Sequence, residues 1–323
     1  MNISVSFLTP VQNQIVQIEE LMRSQAEHSL PDLQAALDVL LSAGGKRIRP
    51  ALTVLVGHML NASEDTLLNL AAAIELLHTA TLVHDDLIDG ALLRRGNPTL
   101  NSQWSPGATV LTGDFLFACA ARLAAETNLI PVMQLFSETL KTIVNGEITQ
   151  QFSSKCRLNR TDYDQRIYAK TASLFETSAK AAGMIARADP VVIESLRIYG
   201  HDVGMAFQIV DDILDFTSSE AMLGKPVGSD LHMGLITLPA LYYAENHPTD
   251  GNIQQLQSGN CLNSDLQIDS LVNSIRSSDA IQLSFNVAEK YIQNALRALK
   301  DMPQGIEHQS LEELALYIVE RRI

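Results

Sequence analysis

Two copies of one acidic pentapeptide, Asp85-Asp86-Leu87-Ile88-Asp89 and Asp211-Asp212-Ile213-Leu214-Asp215, stand inside long apolar stretches. Around each copy, apolar residues recur at three- and four-residue spacing, the period of a helix that buries one stripe. Residues i and i+4 share a helix face one turn apart, so Asp85 goes with Asp89 and Asp211 with Asp215. A chain with this pattern must fold so that carboxylates project from largely buried helices, where they repel one another and are costly to desolvate. Hard divalent cations remove that conflict. Oxygen-only ligands favour Mg²⁺, which is usually held by one or two carboxylates together with the phosphate oxygens of a substrate. The pattern points to a diphosphate gripped through magnesium. A di-iron or zinc carboxylate site would pair Glu with His at i, i+3, which neither pentapeptide does. His84, beside Asp85, points about 100° away from it on a helix and reads as a packing or supporting residue.

The helical period extends along most of the 323 residues, and strand-like alternation is scarce, so the expected class is all-α. Helices are expected over Val11–Ser24, Leu33–Ala43, a stretch opened by Pro50, Ser63 to about Gly90, Ala108–Thr127, Pro131–Phe152 and Val191–Thr217. Asp162–Arg187 reads as helix interrupted near Ala169. Leu93–Gly107, Ser218–Ile236 and the polar Asn246–Asn263 read as loops, and two or three helices close the chain. No Gly/Ser-rich or Pro-rich linker divides it, so one domain over 1–323 is expected. The stretches Ala71–Gly90 and Gly204–Phe216 are apolar nearly all round, which assigns them to the middle of a bundle.

The formal net charge of −14 argues against nucleic-acid partners and against docking on anionic lipid. No run of about 18 uncharged apolar residues is present, so no stable membrane insertion is expected. Cys119, Cys156 and Cys261 lie far apart without metal-type or framework spacing, which fits a reducing cytosol, with packing as the role of Cys119. Met1 to Pro10 lacks a basic segment followed by an apolar core, so no secretory signal is expected and the chain is read as cytoplasmic.

Basic groups recur near the acidic ones in sequence. Gly44-Gly45-Lys46-Arg47-Ile48-Arg49-Pro50 sets three cations at a loop-to-helix junction, where Lys46 and Arg49 suit phosphate oxygens. Arg94 and Arg95 follow Asp89 closely. They could serve two different anions or pair with the aspartates themselves. His78 on the first acidic helix, Lys170, Thr171 and Gln208 offer further donors, and Lys225 sits in a glycine-bearing loop after the second motif.

Taken together these stretches resemble the trans-isoprenyl diphosphate synthases, the polyprenyl synthetase family. The matching text is GGKRIRP (44–50), HTATLVHDDLIDGALLRRG (78–96), GDFLFA (113–118), GEITQQ (146–151), KTASLF (170–175) and FQIVDDILDFTSSEAMLGKPVGSD (207–230). The resemblance implies an isoprenoid-synthase-type helical bundle around a deep central cavity, usually a homodimer. It implies that Lys46, Arg49, His78 and Arg95 bind the diphosphate of isopentenyl diphosphate. Asp85, Asp89 and Asp211, with Asp215 from the same face, would hold two or three Mg²⁺ on an allylic diphosphate, farnesyl or geranylgeranyl. Arg94, Lys170 and Lys225 would neutralise that group, and Thr171 and Gln208 would line its reacting end. Asp85, Asp89, Asp211 and Lys170 would then carry the chemistry. One departure stands out: family members often carry a second lysine where Gly234-Leu235-Ile236-Thr237-Leu238-Pro239 here has Leu235.

Product length is expected to follow from the same helix. At ~1.5 Å rise per residue, Ala80 lies roughly 7 Å before Asp85, where short-chain members place an aromatic stopper. Ala80 and Thr81 are small, which would leave a tunnel open past Leu77 and Ile74, with Phe136 as a deeper floor. An open tunnel along a helix rising ~1.5 Å per residue points to a long product, and the resemblance implies a range of about C30 to C50. Two rivals differ in kind. A terpene cyclase would carry an Asn/Ser/Glu-type second metal site and no isopentenyl clamp. A non-catalytic regulatory subunit of a heteromeric synthase would be consistent with Leu235, but not with two intact aspartate motifs.

Overall fold

The structure, a computed structural model, describes residues 6–27, 29–42, 45–94, 96–218 and 227–321. Helices dominate it. Among the described residues the extended backbone is one short hairpin, Leu93–Arg94 against Asn97–Pro98. Two compact units build the chain. The first takes residues 1–141, 174–200 and 298–314; the second takes 142–173, 201–297 and 315–323.

The first unit is organised on the helix α4 (Glu64–Ile88), which packs chiefly along α6 (Pro106–Glu126) and α3 (Ile48–Met59). Leu70, Ile74, Leu77 and Ala80 are all fully buried, and burying each of the large three stabilises the fold by roughly 1.5–3 kcal/mol. The sequence sets both ends of α4. Ser63 opens it, followed by Glu64 and Asp65 at the positive helix end. At the other end Gly90 takes the left-handed conformation (φ 65°). Its N–H bonds to Leu87 O, and the Ala91 N–H reaches Asp86 O at 2.9 Å. That is the two-bond Schellman arrangement in which glycine stops a helix. α6 starts as its composition asks: the Ser105 hydroxyl accepts from the Ala108 N–H, and Pro106 sits in the first turn.

The second unit is organised on the later part of α10 (Pro190–Thr217), where Val203, Ala206, Ile209, Val210, Ile213 and Phe216 are buried. The expected interruption near Ala169 is a π turn, Tyr168–Ala172, between α8 (Arg160–Ile167) and α9 (Ser173–Ile185). Three helices close the chain: Asp265–Arg276, Ala280–Leu299 and Ile306–Glu320.

Several expectations change. The stretches Leu93–Gly107 and Ser218–Ile236, expected as loops, contain the short helices Leu100–Gln103 and Ser229–His232. The polar Asn246–Asn263 stretch contains the helix Gly251–Gln257, because Asp250 caps the Asn252 and Ile253 N–H groups and Ile253 and Leu256 supply a buried stripe. Cys156 and Cys261 are not isolated thiols. They form a disulfide, which the fold allows by bringing together residues 105 apart in sequence. Cys119 is a buried free cysteine as expected. Finally, α4 and α6 are each long and apolar enough to cross a bilayer, with 67% and 44% of the relevant stretch buried inside the protein. For α4, that apolarity goes into the core of its own unit.

Candidate active site

In the first unit, Asp85 and Asp86 occupy the last turn of α4 and Asp89 is its C-cap, with the Asp89 N–H bonded to Asp85 O at 2.8 Å. A helix C-terminus carries partial negative charge, and carboxylates there are disfavoured. Three of them in one turn demand cations. Asp86 is buried and finds one: Arg94 Nε and Nη2 reach its two oxygens at 2.7 to 3.0 Å. Of the two readings left open for Arg94, the structure shows the ion pair. Asp85 is half-buried and Asp89 is exposed. Arg95 lies outside the described residues.

His84 turns toward α6. Its ring lies 3.1 Å from Val110 O and edge-on to Phe117, and an added Cβ at Gly113 would fall within 2.4 Å of two of its ring atoms. The packing reading of His84 is therefore correct, and the glycine of the GDFLFA stretch exists to make room for it. Ala80 and Leu77 are fully buried; the Thr81 hydroxyl bonds back to His78 O.

The basic junction before α3 separates into two roles. Arg47 adopts φ 47°, uncommon for a side-chain-bearing residue. Its guanidinium is anchored by Glu19 at 2.7 Å, Glu75 at 2.8 Å and Leu41 O at 2.7 Å. Burial works against its charge, but Glu75 and Glu19 outweigh that and push its pKa up. Arg47 is thus a structural clamp. Lys46 is exposed and Arg49 lies over the Phe175 ring, 4.5 Å from its centre.

The second unit holds the remaining predicted donors. Lys170 and Thr171 sit in the π turn, a helix irregularity frequent at functional sites. Lys170 Nζ pairs with Glu147 at 2.7 Å. The Thr171 hydroxyl donates to Gln208 Oε1 at 2.6 Å, Gln208 Nε2 donates to Asp212 Oδ1 at 2.8 Å, and the Tyr163 hydroxyl donates to Asp212 Oδ2 at 2.7 Å. Burial, helped by nearby Asp230, raises the Asp212 carboxyl to about 8 against those two hydrogen bonds. Tyr163 is in turn pushed well up by burial and by Asp212. Tyr163, Glu147 and Asp86 were not singled out from sequence; GEITQQ contained Glu147, but no spacing rule marked its partner.

The two outer aspartates of the second motif part ways. Asp215 is buried and accepts from the Ser229 hydroxyl at 2.8 Å and the Asp230 N–H at 3.2 Å, while its backbone carbonyl takes the Gly228 N–H. Asp211 keeps its side chain 37% exposed and is paired with Arg321, a residue from beyond the last helix that sequence reasoning missed. Lys225 lies outside the described residues. Leu235 is half-buried and lines a cleft of about 360 Å³ with Gly146, Gln150, Tyr163, Arg166 and Ile236. Arg166 closes one side by donating to Ile236 O at 2.6 Å.

Among the described residues no three acidic, histidine or cysteine side chains converge as a preformed metal cluster, but each motif by itself offers oxygen donors only, which suits hard divalent cations. Comparisons with known proteins agree. The heptaprenyl diphosphate synthase component 2 of Geobacillus stearothermophilus is 38% identical over 94% of this chain and 94% of its own. The chloroplastic solanesyl diphosphate synthase 1 of Arabidopsis thaliana is 36% identical over 90% of this chain and 72% of its own. A polyprenyl synthase from Caulobacter crescentus, solved with calcium and isoprenyl diphosphate, superposes with a TM-score of 0.91 at 34% identity over 99% of this chain and 98% of its own. A model of the polyprenyl synthetase family matches residues 31–275, and the chain belongs to that family.

Proposed function

We propose that this chain condenses isopentenyl diphosphate head to tail onto an allylic diphosphate and repeats the step to build a long all-trans polyprenyl diphosphate. The observation that carries this reading is the pair of aspartate motifs in the C-terminal parts of two helices, each accompanied by basic side chains in its own unit. Asp85, Asp89 and Asp211 are assigned to two or three Mg²⁺. Mg²⁺, when bound, supplies the Lewis acidity that makes diphosphate a leaving group. Lys170 and Lys225 neutralise the same diphosphate, and Arg94 does so with whatever its pairing to Asp86 leaves available. Lys46, Arg49, His78 and Arg95 orient isopentenyl diphosphate so that its π-bond faces the allylic carbon. Thr171 and Gln208, joined by a hydrogen bond, fix the polar wall at the reacting end. The proton lost after coupling goes to the departing diphosphate, so no nucleophilic side chain is required.

Chain length is assigned to α4. The buried Ala80 and Leu77 and the half-buried Thr81 lie on the N-terminal side of Asp85, and nothing aromatic stands at Ala80. A growing chain runs along this helix past them, at ~1.5 Å per residue, and the range of about C30 to C50 assigned to the product rests on likeness to the heptaprenyl and solanesyl synthases. The test is the purified chain alone with Mg²⁺, farnesyl diphosphate and isopentenyl diphosphate, followed by mass spectrometry of the dephosphorylated product. A ladder of all-trans alcohols in that range is expected; products no longer than C20 would overturn the long-chain reading.

A second reading concerns assembly. The Geobacillus relative is named as one component of its synthase, and on α7 (Ile130–Phe152) the second unit exposes Val144, Ile148 and Phe152 (87% for the last) at four-residue spacing. An exposed apolar row of this kind marks an association face, which we assign to a second copy of this chain. If the chain alone is inactive and a second protein restores turnover, the partner is a different component instead.

A further inference from the structure

We propose that Arg321 is a resident counter-ion of the second aspartate motif, which a divalent cation must displace from Asp211 to bind there. The inference rests on the reading of Asp211 as a metal ligand and goes beyond it, because it gives the C-terminal end of the chain control over metal loading. Asp211 stands in the last third of α10 with its side chain 37% exposed. Arg321 follows the closing helix Ile306–Glu320 and comes back to Asp211 across 110 residues of sequence, with Nη2 on Oδ1. Its guanidinium also lies over the ring of Phe207, 4.7 Å from the centre and one helical turn before Asp211. The arginine side chain is only 13% exposed.

The docked state is not a fully satisfied one. Among the described residues Arg321 Nη1 is buried without a hydrogen-bond partner, and a buried donor left unmade is costly. The contact therefore neutralises Asp211 while retaining a reason to let go. A divalent ion on the same carboxylate competes for Oδ1 and repels the guanidinium, and both effects act in the direction of release. By linkage, whatever docking of Arg321 costs metal binding, metal binding costs docking by the same factor.

Mn²⁺ serves as the probe, with bound and free ion counted by electron paramagnetic resonance on the full-length protein. Arg321→Gln should bind Mn²⁺ about fivefold more tightly or better, because the apparent affinity of the wild type is reduced by the fraction of molecules with Arg321 docked. In the Asp211→Asn background the same substitution should make no difference. Hydrogen exchange of the amides in 315–320 should rise when Mg²⁺ is added to the wild type. An unchanged or weaker Mn²⁺ affinity in Arg321→Gln, or C-terminal exchange indifferent to Mg²⁺, overturns the proposal. The two levels separate cleanly. If Asp211→Asn loosens Mn²⁺ but Arg321→Gln leaves it unaltered, displacement alone fails. If Asp211→Asn changes neither Mn²⁺ binding nor turnover, the metal assignment of Asp211 fails and takes the proposal with it.

Discussion

The first aspartate motif closes a helix, whereas the second lies just inside one, and the same five-residue text does different work in the two places. At α4 the fifth residue, Asp89, is a C-cap that stays exposed beside the glycine turn. At α10 the fifth residue, Asp215, is buried and holds the chain where it returns at Gly228–Asp230. The second residue is buried in both, but Asp86 is matched by an arginine and Asp212 by neutral donors and an acidic neighbour. A repeated motif thus specifies helix faces, not roles. What the chain does next decides which carboxylates remain for a ligand.

The sharpest way to break this contrast is to remove the carboxylates one at a time. Under the proposed metal assignment, Asp85→Ala or Asp89→Ala removes a ligand to a metal that contributes several kcal/mol in the transition state, so kcat should fall about a thousandfold or more with the fold intact. Asp215→Ala should show the opposite signature. It leaves the Ser229 hydroxyl and the Asp230 N–H without their acceptor, a loss of about 2 to 3 kcal/mol of stability, measurable by denaturant unfolding. Turnover within about tenfold of wild type in Asp89→Ala, or a thousandfold loss in a fully stable Asp215→Ala, would invert the assignment of the two fifth positions.

α4 differs from α10 in a second respect: it is proposed to hold the metal and to measure the product. Ala80→Phe sets an aromatic ring roughly 7 Å before Asp85 at ~1.5 Å per residue and should shorten the product to about C15–C20. Turnover of the first condensation should persist. An unchanged product distribution would refute growth along α4.

Much of this contrast could be read in sequence, and its limits are instructive. The span of α4, the break near Ala169 and the length of α10 follow from apolar periodicity and from Ser63 and Gly90, all local signals. Packing of His84 was likewise local, because its angle to Asp85 is a property of any helix. Arg47 was legible as a cation but not as a clamp, since Glu19 and Glu75 lie on other helices. Tyr163 on Asp212, Cys156 on Cys261 and Arg321 on Asp211 were invisible for one reason: each partner is 49 or more residues away. Asp89 and Asp215 could not be told apart, because only the path of the chain beyond each motif distinguishes them.

The buried second positions offer a subtler test. With its carboxyl raised to about 8, Asp212 keeps its proton in the folded chain over a range where the unfolded chain, titrating near 4, has lost it. The folded state then binds more protons than the unfolded one, so stability of the metal-free protein should fall as pH rises from about 4 to about 8 and level off above that. Asp212→Asn should flatten that slope. Denaturant midpoints at pH 5 and pH 8 decide it; an identical slope in Asp212→Asn would mean that Tyr163 and Gln208 hold a charged carboxylate.

The smallest expected effect probes the helix stop itself. Gly90 has φ 65°, yet a Cβ added there meets nothing within 4 Å. Gly90→Ala is thus opposed by backbone conformation alone, about 1 to 2 kcal/mol, with no clash to relieve. Denaturant unfolding should register that loss. If kcat and Mg²⁺ affinity stay at wild-type values, the turn only ends the helix and Asp89 tolerates its loosening. If Mg²⁺ affinity drops by more than the stability change accounts for, the Schellman turn is what aims Asp89, and the exposed fifth position of the first motif owes its role to the glycine that follows it.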